Sequence, residues 1–210
     1  MKVLNYGSLN VDYVYSVDHI IVGGETQHSS KLEVFSGGKG LNQSIALAKA
    51  GVPVYHAGIV GTDGDILLEA CKEAGVNTKY IRRLPVKGGH TMIQVDKNAQ
   101  NCIILYGGTN QMQTKEFVDE VLADFGEGDY LILQNEINML DYIIDQAYEK
   151  KMKIVMNPSP FDDKLSTCDL SKVYLFLVNE IEGEQITGCK DKDQILDAMA
   201  ARFPNARFVL

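Results

Sequence analysis

The sequence is short of several things, and each absence narrows its chemistry. Its four cysteines, Cys71, Cys102, Cys168 and Cys189, lie far apart, so no CxxC pair exists to hold zinc or exchange electrons. Idle thiols in a reducing compartment are the expectation. No apolar run approaches the roughly 20 residues of a membrane helix. The longest, Val173 to Val178, is of strand length, and Met1-Lys2 leads into a strand-like segment with no signal-peptide core. These features predict a cytoplasmic protein with no membrane partner. Positive charge is also scarce: 20 Lys and Arg against 28 Asp and Glu leave a net charge of −8. That balance disfavours nucleic acid and anionic lipid as partners. Neither GxxxxGK[ST] nor GxGxxG occurs, which removes the P-loop and the dinucleotide fingerprint. A phosphate ligand stays open, because backbone N–H groups can hold one without any basic side chain.

What is present is an ordinary globular composition, 45% apolar and 23% charged over 210 residues, enough for one α/β domain. Strand-like and helix-like segments alternate. Val3 to Gly7, Pro53 to Val60, Tyr130 to Leu133, Lys153 to Met156, Val173 to Val178 and Arg207 to Leu210 read as short buried strands. Helical periodicity covers 41 to 50, ending at Gly51. It recurs at Ile66, Leu67, Ala70, Cys71 and Ala74 before Gly75, at Phe117 to Phe125 behind a Thr114 cap, and at Leu140, Ile143, Ile144 and Ala147. Such alternation predicts βαβ units and a largely parallel sheet. Two stretches break the rhythm: 13 to 34 has no helix, and 90 to 106 reads as two strands joined at Asp96 to Gln100. They predict a small separate sheet, serving as a lid over the strand ends, as a dimer contact, or as both.

Four places carry candidate chemistry. Ser36-Gly37-Gly38-Lys39-Gly40-Leu41-Asn42 opens the helix 41 to 50, where glycines expose N–H groups and the helix end adds positive potential. It serves either an anion or only a tight turn. Gly7-Ser8-Leu9-Asn10-Val11-Asp12 follows the first strand. Ligands of open α/β sheets bind at that end, and Asp12 there either grips hydroxyl groups or caps a turn. Gln134-Asn135-Glu136 follows the strand 130 to 133 and places another carboxylate at a strand end, where surface acids are also common. Asn179-Glu180-Ile181-Glu182 opens a helix; Asn179 and Glu182 have the spacing of a capping box, with or without a further role.

In this order the features resemble the ribokinase (phosphofructokinase-B type) carbohydrate kinase family, over the whole chain. The resemblance also rests on Gly-Gly-Glu-Thr at 23–26, Gly58 with Gly61-Thr62-Asp63, and Asn157-Pro158-Ser159-Pro160. It implies a three-layer α/β sandwich, with 1–210 an incomplete domain carrying a β lid from 13–34 and 90–106. It implies that Asn10, Asp12, Gly38, Lys39, Asn42 and Glu136 line a sugar site. Asn179 and Glu182 would lie near the nucleotide phosphates, with Glu182 acting on Mg2+. The implied reaction is transfer of the ATP γ-phosphoryl group to a sugar hydroxyl, which depends on positioning and electrostatics. The short Asn-Val-Asp and Gly-Gly-Lys-Gly motifs lean toward ribose, with a nucleoside substrate as the rival, and a homodimer through the lid is expected. The family's Gly-Ala-Gly-Asp motif, which supplies the catalytic base, does not occur. The chain ends at Phe208-Val209-Leu210 in a strand-like run. The resemblance therefore predicts a fragment whose base, adenine site and K+ site lie beyond Leu210, and a sugar-binding chain without turnover is the remaining alternative.

Overall fold

The structure is a computed structural model and describes residues 1–210. Its first part runs β1 (Val3–Tyr6), β2 (Asn10–Ser16), β3 (Lys31–Gly37), α1 (Lys39–Lys49), β4 (Val54–Val60), α2 (Asp65–Ala74), β5 (Asn77–Arg83), β6 (Gly89–Val95) and β7 (Asn101–Tyr106). There follow α3 (Lys115–Leu122), β8 (Tyr130–Gln134), α4 (Leu140–Glu149), β9 (Lys153–Asn157), β10 (Leu175–Leu177), α5 (Glu180–Thr187), α6 (Ile195–Arg202) and β11 (Arg207–Val209).

Seven strands form one sheet in the order β11-β10-β9-β8-β1-β4-β5, and every pairing in it is parallel. A parallel sheet needs cover on both faces, and the alternation along β1 shows how it is given. Leu4 and Tyr6 point into a core shared with α3, α4, α5 and α6, while Val3 points into a second core with α1 and α2. Leu131 and Leu133 of β8 join the first core and Ile132 joins the second. The result is a three-layer α/β sandwich.

The two arrhythmic stretches form a second, four-stranded sheet in the order β3-β2-β6-β7. β2 runs antiparallel to β3 and parallel to β6, while β6 and β7 make a hairpin. The hairpin turn is held by Asp96, whose Oδ1 accepts from Asn98 N (2.8 Å) and Gln100 N (2.9 Å). Ala99 closes it at φ +62°.

Some elements differ from the sequence reading. β5 was not anticipated: it is an edge strand of the large sheet, and only Tyr80 within it is buried, so it lacks the apolar run that marks an inner strand. α6 also goes unannounced, because its buried stripe is only Ile195 and Met199. The strand expected over Val173 to Val178 is regular only at Leu175–Leu177. The helix caps agree with the sequence: Gly75 closes α2 at φ +80°, and the Thr114 hydroxyl accepts from Phe117 N.

Candidate functional site

At the C-terminal ends of β1 and β8 the chain brings six residues around one cleft of about 370 Å³: Asn10, Asp12, Gly38, Lys39, Asn42 and Glu136. They are the six that the sequence singles out for a sugar site. Three local structures deliver them. After β1 the chain turns through Gly7, Ser8 and Leu9 into β2, whose first residues are Asn10, Val11 and Asp12. β3 returns alongside, pairing Asn10 with Gly37 and Asp12 with Phe35, and hands over at Gly38 to α1. The loop after β8 supplies Glu136.

Gly38 sits at φ +96°, a backbone region that side chains disfavour. A Cβ there would stand 3.0 Å from the Ser8 carbonyl oxygen and 3.1 Å from Asn10 N. The close approach of the two turns therefore requires glycine.

Glu136 is well enclosed, its side chain 7% exposed against 39% for Lys39. It is also fully paired. Lys39 Nζ donates to Oε1 at 2.8 Å, Lys39 N donates to Oε2 at 3.0 Å, and the Ser8 hydroxyl donates to Oε2. A buried carboxylate is tolerable only with such partners. Glu136 thus ties the first residue of α1 to the end of β8, and Ser8 in turn accepts from Gly40 N.

Asp12 is different. Its Oδ1 accepts from the Thr91 hydroxyl at 2.6 Å across the β2–β6 pair, and no basic side chain pairs with it. Burial lifts its carboxyl above the ordinary carboxylate range; the Thr91 bond opposes that rise and the Glu136 charge adds to it. Asn10 is buried and oriented by Asn110, whose Nδ2 donates to its Oδ1 at 2.7 Å. Asn42 lies exposed on the first turn of α1, at the rim.

The small sheet supplies the opposite wall. Thr91, Ile93, Ile103 and Leu105 line the cleft together with Asp12. The pairings Asp12–Thr91, Thr91–Leu105 and Ile93–Ile103 put them on one face. The sequence reading named none of these four. The period-2 alternation of β6 and β7 fixes their common face, and only the register with β2 reveals that the face looks toward Asp12.

Asn179 and Glu182 lie in a neighbouring cleft of about 310 Å³, lined also by Asn157, Ser159, Leu177 and Val209. Lys39 borders both clefts. The capping box at the start of α5 is complete: Asn179 Oδ1 accepts from Glu182 N at 2.9 Å, and Glu182 Oε2 accepts from Asn179 N at 3.1 Å. One carboxylate oxygen of Glu182 is thereby engaged, and no group of three His, Cys, Asp or Glu side chains forms a metal cage anywhere in the chain. A single carboxylate fits Mg2+ in the way that ion is often held, by few protein ligands and largely through water and phosphate. No helix is long and apolar enough to cross a membrane.

Comparison with known proteins gives a consistent result. The model of the pfkB family carbohydrate kinase matches residues 1–209. A ribokinase of Staphylococcus aureus is 34% identical over 195 residues, which is 90% of this chain and 64% of that protein. A ribokinase of Haemophilus influenzae is 31% identical over 196 residues, 90% of this chain and 63% of that protein. The chain thus spans somewhat less than two thirds of the length of these relatives. Among solved structures, ribokinase from Cryptococcus neoformans var. grubii in complex with ADP superimposes with a TM-score of 0.77 at 28% identity, covering 95% of this chain and 66% of that one.

Proposed function

Since the chain belongs to the pfkB family of carbohydrate kinases, we propose that it binds a pentose, with ribose as the preferred sugar, in the cleft of Asn10, Asp12, Gly38, Lys39, Asn42 and Glu136. The sugar would serve there as acceptor of the ATP γ-phosphoryl group. The observation that carries this reading is the convergence of those six residues on one cleft with a carboxylate at its wall that no cation pairs. Asp12 has a free oxygen and no cation beside it, the state suited to accepting hydroxyl donors at charge-assisted strength. Glu136 already holds its three donors and sets the pose of Lys39. Ile93, Ile103 and Leu105 offer an apolar wall to the carbon face of the ring, and the small sheet that carries them is proposed as a lid.

The neighbouring cleft is the proposed place of the nucleotide phosphates, on the ground that Lys39 borders both clefts and that a relative of this fold binds ADP. Glu182 would meet Mg2+ there, and no residue of the chain is assigned to K+. The outward face of the lid exposes Val34, Met92, Ile104 and Tyr106, the surface a homodimer would cover.

Calorimetric titration of the 210-residue chain with ribose, 2-deoxyribose and adenosine tests the reading. Saturable ribose binding that Asp12→Ala abolishes is the expected result. Preference for adenosine would favour the nucleoside alternative, and absence of binding by all three would overturn the sugar assignment.

A further inference from the structure

Beneath the glycine turn lies a set of fully buried polar side chains that hydrogen-bonds to none of the six cleft residues: Asn5 on β1, Ser44 on α1, His56 on β4 and Gln134 on β8. Their hydrogen bonds form one directed chain. Gln134 Nε2 donates to Gln43 Oε1 (2.6 Å) and to Asn5 Oδ1 (2.9 Å). Asn5 Nδ2 donates to the Gly40 carbonyl (2.7 Å) and to Ser44 Oγ (2.8 Å). The Gly40 carbonyl can only accept, which fixes the orientation of the Asn5 amide. Ser44 Oγ then has its proton for His56 Nδ1, 2.8 Å away, and this assigns the imidazole proton to Nε2. Burial pushes His56 down to about 4, against a weaker opposing pull from the Gly7 backbone, so the ring is neutral at physiological pH and serves as the terminal acceptor.

The placement is specific. Gly40 lies beside Lys39, and its N–H is bonded to Ser8, the residue that also bonds Glu136. Gln43, the other end of the chain, adjoins Asn42 at the cleft rim. A core made only for stability would do better with apolar groups of the same shape, because buried polar pairs cost desolvation that hydrogen bonds only return. We infer that Asn5, Ser44 and His56 are positioning residues: they fix the first turn of α1 against β1 and β4 and thereby set where Lys39 and Asn42 stand in the ligand cleft. The inference rests on the sugar-site reading for its consequence, while its structural content can be read without any ligand.

The test is the variant Asn5→Val/Ser44→Ala/His56→Leu, which exchanges the network for apolar groups. Two quantities are measured on the 210-residue chain: the ribose dissociation constant, and amide hydrogen exchange at Lys39, Gly40 and Leu41 with the β8 amides as reference. The expected result is a melting temperature equal to or above that of the unaltered chain, unchanged exchange in β8, exchange at 39–41 at least ten times faster, and ribose binding about tenfold weaker. A variant with equal melting temperature, equal exchange at 39–41 and equal ribose affinity overturns the inference, since the network would then be only a part of the core. If the unaltered chain binds no ribose, the sugar reading fails, and exchange at 39–41 alone decides this one. Should the triple variant not fold, Ser44→Ala removes the central hydroxyl alone and is read by the same two measurements.

Discussion

Burial lifts the Asp12 carboxyl above its ordinary range, so the folded chain keeps that proton to a higher pH than the unfolded chain does. The sign follows: as pH rises past the usual carboxylate range, the folded state must hold a charge that the unfolded state holds more cheaply, and stability falls across that window. Asp12 is thus a cost to the empty fold at neutral pH and an asset to a ligand with hydroxyl donors. Asp12→Asn is expected to leave the melting temperature at pH 7 unchanged or slightly raised, while ribose binding weakens by roughly 10- to 100-fold, the loss of one or more charge-assisted hydrogen bonds. Calorimetry and titration on the same sample check it; a large drop in melting temperature would make Asp12 a structural residue. At this scale the sequence is readable where a residue sits next to its own motif. Asp12, Lys39 and Glu136 are singled out that way, together with the family resemblance, and the fold places them on one cleft. Asn5, Ser44 and His56 are not, because a polar residue within a strand or helix carries no sign of a partner on another element.

The joint between the small sheet and α1 turns on Gly38. Its φ of +96° and the 3.0 Å approach of a Cβ to the Ser8 carbonyl act together. Gly38→Ala is expected to cost about 1–3 kcal/mol from the backbone conformation alone, since φ +96° with ψ 138° is sparsely populated by any residue but glycine. It should also weaken ribose binding out of proportion to that loss, because β2 and α1 must separate. Denaturant titration gives the first quantity and ligand titration the second; full affinity in the variant would show that the turn tolerates the shift. Elements with a strong period were legible: β1, β4, β8 and β9, and the helices α2, α3 and α4. β5 was hidden by its polar face at the sheet edge, and α6 by a stripe of two residues. The alternation of β6 and β7 announced strands but not their partner, since the parallel pairing of β6 with β2 spans about 80 residues of sequence.

Across the whole molecule, the cleft proposed for the sugar is assembled from the start of β2, the start of α1 and the loops after β8 and β9, with β6 and β7 of the small sheet as its second wall. The 210 residues hold no Gly-Ala-Gly-Asp motif, and a positioned general base is worth roughly 10²–10⁴ in rate. The 210-residue chain is therefore expected to bind ribose yet release no ADP from ATP above background. A coupled assay at saturating ribose measures this, and steady turnover would show that a carboxylate already within these residues serves as base. The α/β class and the presence of a separate β segment could be read from periodicity, whereas the enclosure of the cleft by two sheets required the register. Lys39 gives that enclosure a further property. One charged residue forms part of the wall of both clefts, so an occupant of either changes the electrostatic field felt in the other. Their affinities are then linked, and the linkage has no direction: by whatever factor a sugar alters the hold on an anion next door, the anion alters the hold on the sugar by the same factor.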